Sequence, residues 1–135
     1  FGANGRDTYR YSRSMAGARG IAQFMPATYA ATRRGYSEAR LPMSFLAAME
    51  DHQVSIIAMY CAIDSVLANL PPWYRRELMR PGNELNLGLY VAGAYNAGSG
   101  AASRAFNRYA FARAFAPARA SRSYLGKFEA IWNLR

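Results

Sequence analysis

The sequence predicts a mainly α fold of about six to eight helices with no substantial sheet, and three observations carry that prediction. Apolar residues recur at three- and four-residue steps over the long stretch from Asp51 to Leu70, the period of a helix face. β-branched residues are few and never alternate over a useful length, so no strand is expected. Pro and Gly fall where helices would start and stop. At 135 residues and 52% hydrophobic, the chain suits one domain, residues 1–135, with a sizeable buried core.

The elements follow in order. The opening "FGANGRDTYRYSR" mixes Gly, Asn, Asp, Tyr and Arg without helical period and reads as an exposed loop. Gly17 to Phe24 suits a short helix. Pro26 then starts another, which stops at Gly35 with Arg33 and Arg34 opposing the helix dipole. A loop containing Pro42 follows. Val54, Ile57, Ala58, Cys61, Ala62, Ser65, Val66 and Leu70 form the buried stripe of the long helix, ended by Pro71-Pro72. A short helix is expected over Trp73 to Met79, then a turn at "RPGNE" with Asn83 as N-cap. Leu85 to Ala97 is apolar on nearly all sides, the mark of a central buried helix, and Gly98 and Gly100 break it. "AASRAFNRYAFARAF" reads as a further helix, Pro117 interrupts, and Ser121 to Leu134 is the last.

Seventeen basic residues against eight acidic ones give a net charge of +9, and all the basic residues but Lys127 are arginine. The expected partner is anionic: nucleic acid, anionic lipid or cell-wall glycan bearing peptide carboxylates. The single Cys61 excludes an internal disulfide and reads as a small buried hydrophobe. The lone His52 cannot build a metal site, so no metal or cofactor is expected. No run of eighteen apolar residues occurs, so no membrane span is expected. A first residue of Phe rather than Met suggests a processed product or a fragment.

"SMAGARGIAQFMPATY", Ser14 to Tyr29, combines close-packing glycines, a Gln and a Met-Pro corner that composition does not demand. It resembles the signature of the Slt-type lytic transglycosylases, roughly Ser-x-x-Gly-Ala-x-Gly-Leu-Met-Gln-x-Met-Pro-x-Thr. Ser14, Gly17, Ala18, Gly20, Gln23, Met25, Pro26 and Thr28 match, while Ile21 and Ala22 replace the Leu-Met pair. A second family motif, Ala-Tyr-Asn-Ala-Gly-x-Gly, is reproduced by Ala94 to Gly100 without a departure. A third is looser: Tyr124 and Lys127 match Glu-Thr-x-x-Tyr-Val-x-Lys, and Ala120 stands where the family has Glu. Asp51 with Ser55-Ile56 is a weak counterpart of an Asp-Pro and Asn-Ile pair between the first two motifs.

The resemblance spans Ser14 to about Lys127. It implies a lysozyme-like domain that cleaves the β-1,4 bond between N-acetylmuramic acid and N-acetylglucosamine in peptidoglycan and leaves a 1,6-anhydro end. The physical chemistry agrees, since a glycan cleft needs aromatic surfaces for sugar faces and amides and hydroxyls for their polar edges. Ser14, Gln23, Met25, Tyr95, Asn96, Ala97 and Tyr124 are the candidate substrate-binding residues. For Gly17, Gly20 and Gly98 tight packing or capping competes with ligand contact, and for Met25 so does plain core packing.

In the family one Glu acts first as general acid and then as general base, at the end of a helix in Glu-Ser-x-Phe. An ordinary glycosidase uses two carboxylates, and a single one doing both jobs needs a partly apolar pocket that raises its pKa. The usual nine-residue spacing before Ser14 lands on Gly5, which is no acid. Asp7, in a Gly-rich loop, is the only acidic residue in the first 37 positions and a poor candidate. If Phe1 is the Phe of that motif, the Glu lies three residues upstream; otherwise the domain has lost its acid. Glu38, Glu50, Asp51, Asp64, Glu77, Glu84 and Glu129 suit solvated or capping roles.

The expected partner is therefore peptidoglycan, bound by a monomeric domain of a larger protein or assembly that lacks its N-terminal helix segment in this chain. The implied location is the periplasm or cell envelope, a phage particle or a secretion apparatus. A non-catalytic peptidoglycan-binding relative is the alternative. A nucleic-acid-binding domain is a weaker one, motivated by Arg interleaved with aromatics in "RDTYRYSR" and "RAFNRYAFARAF".

Overall fold

A computed structural model describes residues 9–98 and 119–134, with the side chains of the latter stretch described from 126 onward. The described residues are mainly helical, with six α-helices and one 3-10 turn. In order these are α1 (Pro26–Gly35), the turn Ser37–Ala39, α2 (Phe45–Glu50), α3 (His52–Ala68), α4 (Pro72–Leu78), α5 (Glu84–Ala97) and α6 (Arg119–Trp132). Among them lies no strand, only two isolated bridges, Arg13 to Arg19 and Arg19 to Phe24. No described helix is long and apolar enough to cross a membrane. The expected helix "AASRAFNRYAFARAF", together with Gly100, Pro117 and residues 1–8, lies outside the described residues. The chain divides into two compact units, residues 1–65 and 66–135.

In the first unit Pro26 opens α1, where its missing N–H costs nothing and its fixed φ already suits the helix. Arg33 and Arg34 occupy the last turn, where their charge opposes the dipole. Tyr29, fully buried, packs edge-on to Phe24 and against Phe45, and donates its hydroxyl to the Pro42 carbonyl at 2.7 Å. Ala22, Leu41, Ala48, Met49, Ala58 and Ala62 complete this core. Burial of each large side chain here contributes about 1.5–3 kcal/mol.

The stretch read as a loop around Pro42 contains α2, which the sequence reading missed. Six residues are too few for a helical period to register, but Ser44 is a sound N-cap whose Oγ accepts from Ala47 N at 3.3 Å. Asp51 separates α2 from α3 in an extended conformation. Its Oδ1 accepts from the backbone N–H groups of Gln53 (2.9 Å) and Val54 (3.1 Å), so it caps α3. The stripe predicted for α3 also needs correction. Ser55, Ala58 and Ala62 are its buried residues, whereas Ile57 is 46% exposed and Cys61 half-buried.

In the second unit Leu70, Tyr74, Leu78, Tyr90 and Ala94 form a separate core, with Val66, Leu67 and Leu87 packed on it. Tyr74 and Tyr90 meet edge to face at 6.0 Å. Tyr90, Ala92, Gly93 and Ala94 are buried and point to different sides of α5, so its middle is covered nearly all round as expected, whereas Leu85 in its first turn is exposed. Asn83 stands at the N-cap position of α5 without a capping bond. Its amide instead donates to Glu77 O (2.7 Å) and accepts from Asn86 Nδ2 (2.9 Å), while Glu84 takes the Gly82 N–H at 3.0 Å. α6 begins two residues earlier than read, at Arg119, and its Phe128 ring lies so close over Gly88 that a Cβ there would overlap it.

Candidate functional site

The first motif is a hydrogen-bonded loop, not the short helix expected over Gly17 to Phe24. Four of the fifteen residues from Tyr9 to Gln23 hold a positive φ: Tyr9 at 69°, Gly17 at 92°, Gly20 at 72° and Gln23 at 51°. No α-helix passes through such positions. Ser14 N donates to Ala18 O and Gly17 N to Ser14 O, which closes the first turn. Arg19 and Phe24 then exchange both backbone bonds, at 3.0 and 3.1 Å. Ala22 and Phe24 are buried and pin the loop to the core of its unit.

Gly20 is required twice over. Its φ of +72° disfavours any side chain, and a Cβ would come within 2.6 Å of the Met49 carbonyl oxygen. Here packing, rather than ligand contact, explains the residue. Gly17, at φ +92°, meets nothing within 4 Å and is needed only for its dihedral.

Ser12, which the sequence reading passed over, is the centre of the loop. Its Oγ lies 2.9 Å from Tyr9 O and 3.0 Å from Gly20 O, so its single proton serves one of the two at a time. It also accepts from Gln23 Nε2 at 3.0 Å, and the same amide nitrogen donates to Gly20 O at 2.8 Å. A carbonyl can only accept, so the Gln23 nitrogen must face Gly20. Its Oε1 accepts nothing among the described residues. No local spacing marks Ser12, which stands five residues before the Gly17-x-x-Gly20 run while Ser14 stands three before it.

Ser14 is half-buried, and its Oγ accepts from Ala18 N at 3.0 Å. Among the described residues its hydroxyl proton has no acceptor. The loop therefore leaves one donor, on Ser14, and one acceptor, on Gln23, for an outside polar group. Met25 follows as the N-cap residue of α1 and is 40% exposed, so the core reading of its side chain does not hold. Ile21 is exposed as well, at 43%.

The second motif is the C-terminal turn of α5. Tyr90, Gly93 and Ala94 face the core, and the helix period turns Asn96 and Ala97 to solvent and leaves Tyr95 half-buried. Gly98 ends the helix at φ +87°, donating its N–H to Ala94 O at 2.8 Å. Tyr124 falls on the backbone of α6, and its side chain lies outside the described residues. Ser14, Gln23 and Met25 thus belong to the first unit, and Tyr95, Asn96, Ala97 and Tyr124 to the second. Asp7 and Phe1 lie outside the described residues.

Four of the described carboxylates have local partners. Asp51 caps α3, Glu84 takes the Gly82 N–H, and Glu77 lies 3.4 Å from Arg80. The Gly82 bond holds the Glu84 carboxyl below its usual range. Asp64 is exposed, and its Oδ2 also accepts from the Tyr36 hydroxyl at 2.6 Å. Burial and that bond push the Tyr36 phenol up to about 12. Burial likewise pushes the Cys61 thiol up, so it stays protonated near neutral pH. The His52 Nε2 is buried and meets no partner among the described residues. No cluster of three or more His, Cys, Asp or Glu able to hold a metal ion occurs among them.

No family model, curated protein or solved structure matches this chain, so the resemblance to the lytic transglycosylases rests on the motif residues themselves.

Proposed function

We propose that this chain is a lytic transglycosylase domain that holds peptidoglycan glycan strands through the Ser14–Met25 loop, the Tyr95–Ala97 helix end and Tyr124. One observation supports this reading above the others. Gln23, a non-glycine residue, stands at φ +51° while its side-chain nitrogen donates to Ser12 Oγ and Gly20 O, and its Oε1 accepts from no described residue. A left-handed glutamine costs of the order of 1 kcal/mol, and such strain collects at binding sites. Oε1 suits the N–H of a sugar's N-acetyl group, and the Ser14 hydroxyl suits a ring oxygen or carbonyl. The reaction would be scission of the MurNAc-GlcNAc bond with 1,6-anhydro product, with one Glu as acid and then base.

The family resemblance puts that Glu three residues before the Phe of its Glu-Ser-x-Phe motif, the place Phe1 would fill. Purified sacculi incubated with the full gene product then yield muropeptides ending in 1,6-anhydro sugars. A neutral residue at that position, with no such product, contradicts the enzyme reading. The second reading, a non-catalytic peptidoglycan binder, is favoured by the absence of any carboxylate between Tyr9 and Gly35. It predicts that the chain stays on sacculi and releases nothing.

A further inference from the structure

Among the described residues, α4 is anchored from one side. Tyr74 and Leu78, one turn apart, are buried at 3% and 1% exposure. The opposite face, at the matching helical spacing, carries Pro72, Trp73 and Arg76, continued by Met79 and Arg80 just past the helix end, and all five are exposed. Trp73 is 57% and Met79 59% exposed, so with Pro72 they put three apolar side chains on one outward face. Arg75 and Arg76 with Arg80, against Glu77 alone, give this short segment a local charge of +2 within a chain of net charge +9. The Arg80–Glu77 contact, at 3.4 Å between exposed groups, is weak and leaves the arginine available.

We propose that this outward face of α4 docks on an anionic phospholipid surface. An indole ring settles at the headgroup level, where its apolar body is covered and its N–H stays wet, and Met79 and Pro72 add apolar area beside it. Guanidinium groups bind phosphates through paired N–H donors, so Arg76 and Arg80 fit the lipid headgroups. Charge complementarity favours an anionic leaflet over a neutral one. A glycan strand fits this face less well, because it offers no amide or hydroxyl beside the ring. The reading is independent of the transglycosylase proposal, which concerns other residues.

The test is co-sedimentation of the whole chain with vesicles of pure phosphatidylcholine and of equal parts phosphatidylcholine and phosphatidylglycerol. The chain binds the anionic vesicles preferentially, and added salt weakens the binding. Replacing Arg76 and Arg80 together by Ala weakens it about twenty-five-fold, about fivefold for each arginine, and Trp73→Ala weakens it about tenfold. The arginine side chains are exposed, so their variants melt with the parent. Trp73→Ala gives up the ring contact with Tyr74 at 5.2 Å and melts slightly lower, so its binding is read at a temperature where it is folded. Trp132→Phe leaves Trp73 as the only tryptophan, and its emission shifts to the blue on anionic vesicles and is quenched by brominated lipid. Equal binding to both vesicle types, or no change in Trp73 emission, overturns the proposal. So does a Trp73→Ala variant that loses retention on sacculi while still binding vesicles, which assigns the face to glycan.

Discussion

In the loop from Tyr9 to Met25 the backbone dihedrals decide where each side chain goes; at the end of α5 the helix period decides it. The loop needs glycine at Gly17 and Gly20 and strains Gln23, because three left-handed positions must coexist with the Arg19–Phe24 bonds. The α5 terminus needs only Gly98 to stop, and buried Tyr90 and Ala94 do the rest. A site built the first way tolerates little substitution, even at residues no ligand touches. A site built the second way tolerates change at the exposed Asn96 and Ala97 but not at the buried Tyr90, Ala92, Gly93 and Ala94.

Gly20→Ala gives the largest effect, because the left-handed strain adds to the overlap with the Met49 carbonyl. A loss of about 3 kcal/mol is expected in urea unfolding, against about 1 kcal/mol for Gly17→Ala, where no atom stands in the way. Equal losses would show that the close approach to Met49 does not constrain the loop. Next comes Gly88→Ala on α5, which meets the Phe128 ring and costs about 1–2 kcal/mol as α6 is pushed away. Faster amide exchange in α6, with α4 unchanged, is the expected readout.

A smaller effect separates the loop from the rest of its own unit. Tyr36 titrates near 10 when unfolded and near 12 when folded, so the folded state keeps its proton longer. Its contribution is complete below pH 10 and is lost as the pH rises toward 12. Stability measured across that window falls in the parent and falls less in Tyr36→Phe. Asp64→Asn brings the phenol's own titration, followed by its ring carbon shifts, back toward 10. The smallest stability effect belongs to Gln23→Gly: relief of the left-handed strain offsets the two lost hydrogen bonds to within about 1 kcal/mol.

The sequence revealed the helices whose signals are local. Pro26 and the Arg33-Arg34 pair marked α1, and Pro71-Pro72 marked the end of α3. It concealed α2, whose six residues carry no full period, and it turned Gly17–Phe24 into a helix because glycine spacing alone does not say which sign φ takes. Ile57 was assigned to the core since periodicity gives a stripe's spacing but not its width. The motif residues were legible one by one. The dependence of Gln23 on Ser12 and Gly20 was not, since a bond between residues eleven apart follows from the fold of the loop.

The central claim is that Gln23 belongs to a glycan site rather than to loop architecture alone. Calorimetric binding of a soluble GlcNAc-MurNAc oligosaccharide to the parent chain and to Gln23→Gly tests it most directly. The account predicts binding that weakens about tenfold in the variant, with a melting temperature close to the parent's. Equal affinity of the two chains for the oligosaccharide, or no binding by either, would contradict it.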